Sequence, residues 1–177
     1  LDGTNVSLTG RDGVTLGGNL SALGTLALAS TNAAIAQSGG AITVAGLSMV
    51  TAGTGAITLT GVSNDFTGAV SLTGGVTQIT DANALTLGTL STTGALTAIS
   101  TGALNLGSGS VGGNLDATSN NGAISQTAAL SVSGTSALNA GSGAITLTNG
   151  GNDFQGAVSA TGAGVSLVDV NDLSVTS

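Results

Sequence analysis

The chain repeats itself. Residues 55–75 read GAITLTGVSNDFTGAVSLTGG and residues 143–163 read GAITLTNGGNDFQGAVSATGA, a match at about 15 of 21 positions with an offset of 88. The match runs outward in both directions. Ile35-Ala36-Gln37 corresponds to Ile124-Ser125-Gln126, and TDANALTL from Thr80 corresponds to VDVNDLSV from Val168. The same phrase opens the sequence as LDGTNVSL, so Asp2, Asp81 and Asp169 mark three starts. The expected organisation is one continuous segment over 1–177. Its repeats cover about 1–79 and 80–167, and a third begins at 168–177. A period of this kind points to a solenoid, in which each unit buries its apolar face only against its neighbours.

A finer rhythm lies inside each repeat. Val6-Ser7-Leu8, Val14-Thr15-Leu16, Ile42-Thr43-Val44, Ile57-Thr58-Leu59, Val70-Ser71-Leu72, Leu85-Thr86-Leu87, Leu104-Asn105-Leu106, Leu130-Ser131-Val132, Ile145-Thr146-Leu147 and Val165-Ser166-Leu167 are each apolar–polar–apolar. That is the period-2 signature of a half-buried strand. Gly, Asn, Ser or Asp separates them, as turns require. Helical spacing is absent. The spacing predicts a strand about every 10 to 15 residues.

An antiparallel sandwich and a parallel β-helix are both compatible with short strands; the long repeat favours the β-helix. Composition supports it. Of 177 residues 5% are charged, 31 are Gly, and Pro, Cys, His, Trp and Tyr are absent; there are 2 Phe. Stacked coils place equivalent side chains in columns, where like charges repel and Thr, Ser, Asn, Val and Ile stack. Pro would remove a ladder hydrogen bond. Coils of ~20–22 residues give an all-β solenoid of about eight coils without substantial helices, and a rod of roughly 40 Å.

The same composition excludes functions. There is no imidazole base, thiolate or Schiff-base lysine, and zinc and haem lose their usual ligands. Arg11 is the one Lys or Arg against eight acids, all Asp, for a net charge of -7; nucleic acid is not an expected partner. No stretch approaches the ~18 apolar residues of a membrane helix. The chain begins Leu1-Asp2-Gly3 without a basic region, an apolar run or an initiator Met, which reads as a fragment or a processed segment.

NDFTGAVSLTGG, DANALTLGTL, GALNLGSG and SGAITLTN resemble the repeats of filamentous-haemagglutinin-type exoproteins, large bacterial adhesins exported by two-partner secretion or related routes. The resemblance covers essentially the whole chain. It implies a right-handed parallel β-helix, a secreted rod at the bacterial cell surface, an outer-membrane secretion partner, and a role in attachment or matrix building.

Asn64-Asp65-Phe66 and Asn152-Asp153-Phe154 form the most distinctive motif. They are expected to be Asx-type turns leading Phe inward; one Asp each falls short of the six to eight oxygens calcium takes. Gly112-Gly113-Asn114-Leu115-Asp116 has the wrong spacing for the calcium nonapeptide. Asp169 and Asp172 are a close acidic pair with Asp81 and Ala84 at the equivalent positions. Paired carboxylates hydrolyse glycosides, but the cations and aromatics that usually accompany sugar chemistry are missing. Arg11-Asp12-Gly13, Gly17-Gly18-Asn19 and Gly112-Gly113-Asn114 are read as turns. Thr58/Thr60 and Thr146/Thr148 are expected to point outward, and stacked they would make a flat Thr face of the ice-binding kind. The leading expectation is a non-catalytic structural segment of an adhesin or extracellular filament, with no catalytic, cofactor or metal residues. Its expected partners are further copies of its own repeat, covalently arrayed or stacked head to tail. An ice-binding β-helix is the alternative and a polysaccharide-acting β-helix enzyme the third reading.

Overall fold

A computed structural model describes residues 1–176. The chain winds through nine turns of a parallel β-solenoid. The first coil holds β1 (Asp2–Gly3), β2 (Val6–Gly10) and β3 (Val14–Leu16); the second β4 (Leu20–Ala22), β5 (Leu26–Ser30) and β6 (Ile35–Gln37). The third holds β7 (Ile42–Val44), β8 (Ser48–Thr51) and β9 (Ile57–Leu59); the fourth β10 (Asp65–Phe66), β11 (Val70–Gly74) and β12 (Thr77–Asp81). In the fifth, β13 (Leu85–Thr92) runs through two strand positions before β14 (Leu96–Ser100). The sixth holds β15 (Leu104–Asn105), β16 (Ser108–Val111) and β17 (Leu115–Thr118); the seventh β18 (Ile124–Ser125), β19 (Leu130–Val132) and β20 (Ser136–Asn139). The eighth holds β21 (Ala144–Leu147), β22 (Asp153–Phe154) and β23 (Val158–Thr161); the ninth β24 (Gly164–Leu167) and β25 (Val175–Thr176).

All described pairings are parallel and join one coil to the next. The third strands form the longest unbranched ladder, β3-β6-β9-β12-β14-β17-β20-β23-β25. β1-β4-β7-β10 form a ladder of first strands. The second strands run β2-β5-β8-β11-β13, and there the ladder forks. Leu85 and Thr86 of β13 pair with β15 and continue through β18, β21 and β24, while Thr89–Thr92 pair with β16 and continue through β19 to β22. The register shift between Val70 and Leu72 against β13 marks where the corner of the fifth coil is absorbed.

The core is a set of columns. Val14, Ile35, Ile57, Thr77, Leu96, Leu115, Ser136, Val158 and Val175 stack in register along the third ladder. Phe66 and Phe154, the two largest side chains of the core, are buried. Small aliphatic residues suffice because the interior is only one side chain deep from each wall. All ten segments read from alternation lie on strands, but twenty-five strands are present among the described residues, about one every seven residues rather than every 10 to 15. Several of the extra strands escape alternation because Ala occupies an inner or an outer position: Leu26-Ala27-Leu28, Leu115-Asp116-Ala117 and Ser136-Ala137-Leu138.

Corners bring backbones close enough to require glycine. Gly46 stacks on Gly24, its N–H donating to the Gly24 carbonyl at 2.8 Å, and a Cβ on Gly46 would meet that oxygen at 2.5 Å. Other corners need the left-handed conformation, which Asn and Gly tolerate. Asn32 (φ 57°) lies beneath Gly53 (φ 61°), and Asn121 (φ 76°) beneath Gly141 (φ 56°).

The coils and the repeat are out of step. Paired residues in successive coils are 17 to 22 positions apart, as in Val70 with Leu87 and Ile35 with Ile57. Ile57 lies in the third strand of its coil, whereas Ile145, 88 positions on, lies in the first strand of its coil. Ser48 and Ser136 move likewise from second strand to third. Eighty-eight residues therefore span four and a third turns, and the equivalent surface appears one face further round the rod.

Candidate functional site

The most elaborate side-chain chemistry sits at the two Asn-Asp-Phe corners. Asn64 is buried. Its Oδ1 accepts from Gln37 Nε2 at 2.8 Å and from the Ile42 N–H at 2.9 Å; its Nδ2 donates to Gln37 Oε1 at 2.8 Å and to the Leu59 carbonyl at 3.3 Å. Gln37 in turn donates to the Gly40 carbonyl and accepts from the Gly61 N–H. Each amide thus uses two donors and two acceptor lone pairs, its full complement. Asn152 repeats the arrangement with Gln126, Leu130 and Leu147, and adds a bond to the Val168 carbonyl. The expected Asx turn is therefore more than a local turn: Asn ties successive turns together. Phe66 and Phe154 point inward as expected.

The aspartates that open the second and third repeat phrases close these corners. Asp81 is buried, and its carboxylate accepts from the Phe66 N–H and the Asn83 N–H, each at 2.7 Å. Burial raises its pKa above the ordinary value; the two N–H groups oppose that rise, and the charge of Asp65 adds to it. Asp169 accepts from the Phe154 N–H at 3.1 Å and the Val170 N–H at 3.0 Å through Oδ1, while its buried Oδ2 has no partner among the described residues. The spacing from Phe to Asp is fifteen residues in both corners. Asp153 accepts from Gln155 Nε2 and Asn171 Nδ2, which hold its carboxylate below the ordinary range.

The other singled-out residues stand apart. Asp172 is exposed. Among the described residues no group of three or more His, Cys, Asp or Glu is placed to hold a metal. Arg11 and Asp12 occupy an exposed turn between β2 and β3. Asn19 and Asn114, which end the two Gly-Gly-Asn runs, accept from the Ala41 and Thr135 N–H groups of the next coil. Thr58 stacks between Ala36 and Gln78 on the third ladder, while Thr146 stacks between Ser125 and Ser166 on the first strands of later coils. The two Thr pairs do not share a face.

Two shallow grooves follow the second strands. One of about 310 Å³ is lined by Ala27, Leu47, Met49 and Ala69; another of about 300 Å³ is lined by Thr86, Gly88, Thr89, Gly107, Ser108 and Thr127. They meet at Ala69 and Ser71, and no charged residue lines either.

These features define a class: a parallel β-solenoid repeat protein whose corners are clamped by side-chain amides and carboxylates. Residues 3–73, 74–105 and 98–161 match a family described as repeats of unknown function (DUF5649), and the chain belongs to that family. No curated protein and no solved structure matches the chain.

Proposed function

We propose that the chain is a non-catalytic rod segment of a secreted or surface-anchored bacterial adhesin or extracellular filament. Its task is mechanical: it holds other parts of the molecule at a distance. The observation that carries the reading is the unbroken third ladder through nine turns. Load along the rod axis is borne by backbone hydrogen bonds, and Gln–Asn pairs, each built on a buried asparagine, pin successive turns at the corners. Nearly neutral strand faces support further stacking, so the natural partners are more copies of the repeat, within a longer chain or head to tail. The resemblance to filamentous-haemagglutinin-type repeats supports export through an outer-membrane partner and placement at the cell surface. Neither alternative gains a specific observation: the Thr pairs lie on different faces, and no group of three or more His, Cys, Asp or Glu gathers among the described residues.

The test is surface labelling of intact bacteria that express the parent protein, with antibodies raised against residues 1–177. Labelling without permeabilisation, lost after mild protease treatment, is the expected result. Signal only after lysis would overturn the placement. Rods in negative-stain images that lengthen with added repeats would support the mechanical role, and compact particles would overturn it.

A further inference from the structure

The sequence contains two Asn-Gly steps, Asn121-Gly122 and Asn149-Gly150. At such a step the backbone nitrogen of the glycine can attack the side-chain carbonyl carbon of the asparagine, because glycine has no Cβ in the way and restricts the backbone least. Solvent reaches both steps; they differ in what their atoms are bound to. Asn121 is in the left-handed conformation (φ 76°) and is held against the next coil. Its Oδ1 accepts from the Ser142 N–H at 3.0 Å and from the Ser142 hydroxyl at 3.2 Å. The Gly122 N–H, which would have to be freed for attack, donates to the Ser119 carbonyl at 3.0 Å.

Asn149 and Gly150 lie at the tip between β21 and β22. Gly150 is exposed, its N–H donates no hydrogen bond among the described residues, and a Cβ built on it meets nothing within 4 Å. Asn149 Oδ1 accepts from the Gly151 N–H at 2.9 Å. That Asx turn folds the side chain over the intervening peptide unit. It also sets a donor on the atom where negative charge gathers when the carbonyl carbon is attacked. The exposure belongs to the corner itself. In the earlier copy, which has coils on both sides, Val62 stands at the Gly150 position and is 82% exposed. Asn149 is also tied to the clamp: its N–H donates to Gln126 Oε1 at 3.4 Å, and its carbonyl accepts from the Asn152 N–H at 3.1 Å.

We propose that Asn149-Gly150 is a site of spontaneous modification by deamidation, with water as the co-reactant, and that the folded chain protects Asn121-Gly122 from the same reaction. The Gly150 nitrogen gives its proton to hydroxide and forms a bond to Asn149 Cγ. The Nδ2 group takes a proton from water, the Cγ–Nδ2 bond breaks and ammonia leaves, which gives a five-membered succinimide. Water then opens the ring. Cleavage between Cγ and the Gly150 nitrogen yields aspartate. Cleavage between the Asn149 carbonyl carbon and that nitrogen yields isoaspartate, in which the chain runs through the former side chain. The aspartate form keeps both backbone bonds of residue 149. In isoaspartate the carbonyl that holds the Asn152 N–H becomes a free carboxylate and the chain gains one carbon, so the Gln126–Asn152 clamp loosens.

The experiment incubates the 177-residue chain at mildly alkaline pH, folded and in urea. Whole-chain mass spectrometry with electron-transfer fragmentation follows each asparagine, reading the change from NH2 to OH and separating isoaspartate from aspartate. In urea the two steps should convert at comparable rates. In the folded chain Asn149 should convert and Asn121 should be at least about tenfold slower, because a local opening that breaks its hydrogen bonds must come first. Gly150→Val, which places the residue of the earlier copy at the open tip, should slow conversion of Asn149 in both conditions. Asn149→Asp should melt as the unmodified protein does, whereas the isoaspartate fraction isolated by chromatography should melt lower. An Asn149 that is labile in urea and inert in the folded chain would overturn the site, as would equal rates for the two steps in the folded chain. An isoaspartate fraction that melts with Asn149→Asp would overturn the effect on the clamp.

Discussion

The side-chain amides of Gln37 and Asn64 meet head to head, each donating to the other at 2.8 Å. Twenty-seven positions separate them in sequence, and they join the end of β6 to the corner that follows β9 one turn later. Gln126 and Asn152 make the same exchange at 2.6 and 2.9 Å. A buried amide costs free energy unless its donors and acceptors are met, and here each meets the other while both also satisfy corner backbone groups.

Truncating either asparagine should be expensive. Asn64→Ala takes the side-chain acceptor from the buried Ile42 N–H and one of two partners from each end of the Gln37 amide, which keeps Gly40 and Gly61. The expected loss is about 2–3 kcal/mol, since each buried polar group left unpaired costs about 1–3. Asn152→Ala should lose a similar amount. Urea unfolding measures both. In a double-mutant cycle with Gln37→Ala, a coupling energy above about 0.5 kcal/mol is expected; strict additivity would show that the pair does not act as a unit.

Two core hydroxyls should be dispensable. Ser48 and Ser136 occupy equivalent inward positions, are buried, and have no partner for their hydroxyls. An unpaired buried hydroxyl disfavours folding. Ser48→Ala and Ser136→Ala are therefore expected to be neutral or stabilising by about 1 kcal/mol. A loss of similar size for either variant in chemical denaturation would reveal a hydrogen bond that packing alone does not require.

Glycine substitutions should divide by corner. Gly46→Ala drives a Cβ to 2.5 Å from the Gly24 oxygen, so backbone must move and stability should fall by more than the roughly 0.5 kcal/mol within which most surface changes lie. Gly18 has nothing within 4 Å of its would-be Cβ and no left-handed φ. Gly18→Ala should thus be neutral or gain about 0.4–1 kcal/mol by restricting the unfolded chain. Equal melting temperatures for the two variants would contradict the stacked-corner geometry.

How much of this was legible beforehand depends on which residues are asked. Ile57-Thr58-Leu59 announces a strand because inner and outer positions differ in polarity. Ser136-Ala137-Leu138 does not, because a small residue faces out and a hydroxyl faces in. The parallel stacking followed from the long repeat and the absence of charge. The number of strands per turn did not, since the 88-residue period conceals four and a third turns. At the corner, Asn64-Asp65-Phe66 stood out and Phe66 pointed inward as expected. Gln37 was visible only as part of a matching tripeptide. Its pairing with Asn64 spans a whole turn, and local spacing carries no such information. Asp81 was marked as a repeat start; its bond to the Phe66 N–H required knowing which turn lies beneath it.

The acid response of the rod should reverse the usual direction near Asp81. Burial raises its pKa above the ordinary value of 3.8, with the N–H groups of Phe66 and Asn83 opposing and Asp65 reinforcing the rise. The folded protein therefore takes up this proton at a higher pH than the unfolded chain does. Stability from this group increases as pH falls through the raised folded pKa, and the increase is complete below the unfolded value. Asp153 acts in the opposite sense: its lowered pKa contributes stability above the ordinary value, which is lost as pH falls through its folded pKa. Acidification from about pH 7 to about pH 4 crosses only the window of Asp81, so the melting temperature should hold or rise over that range. Asp81→Asn removes the titrating group. It also turns a donor toward one of the two N–H groups, at a cost of about 1–3 kcal/mol. The variant should melt lower at neutral pH and lack the acid-side gain, so its distance below the wild-type protein should grow as pH falls. Parallel pH profiles for the wild-type protein and Asp81→Asn would show that the buried carboxylate does not set the response; a gap that widens toward about pH 4 is the expected outcome.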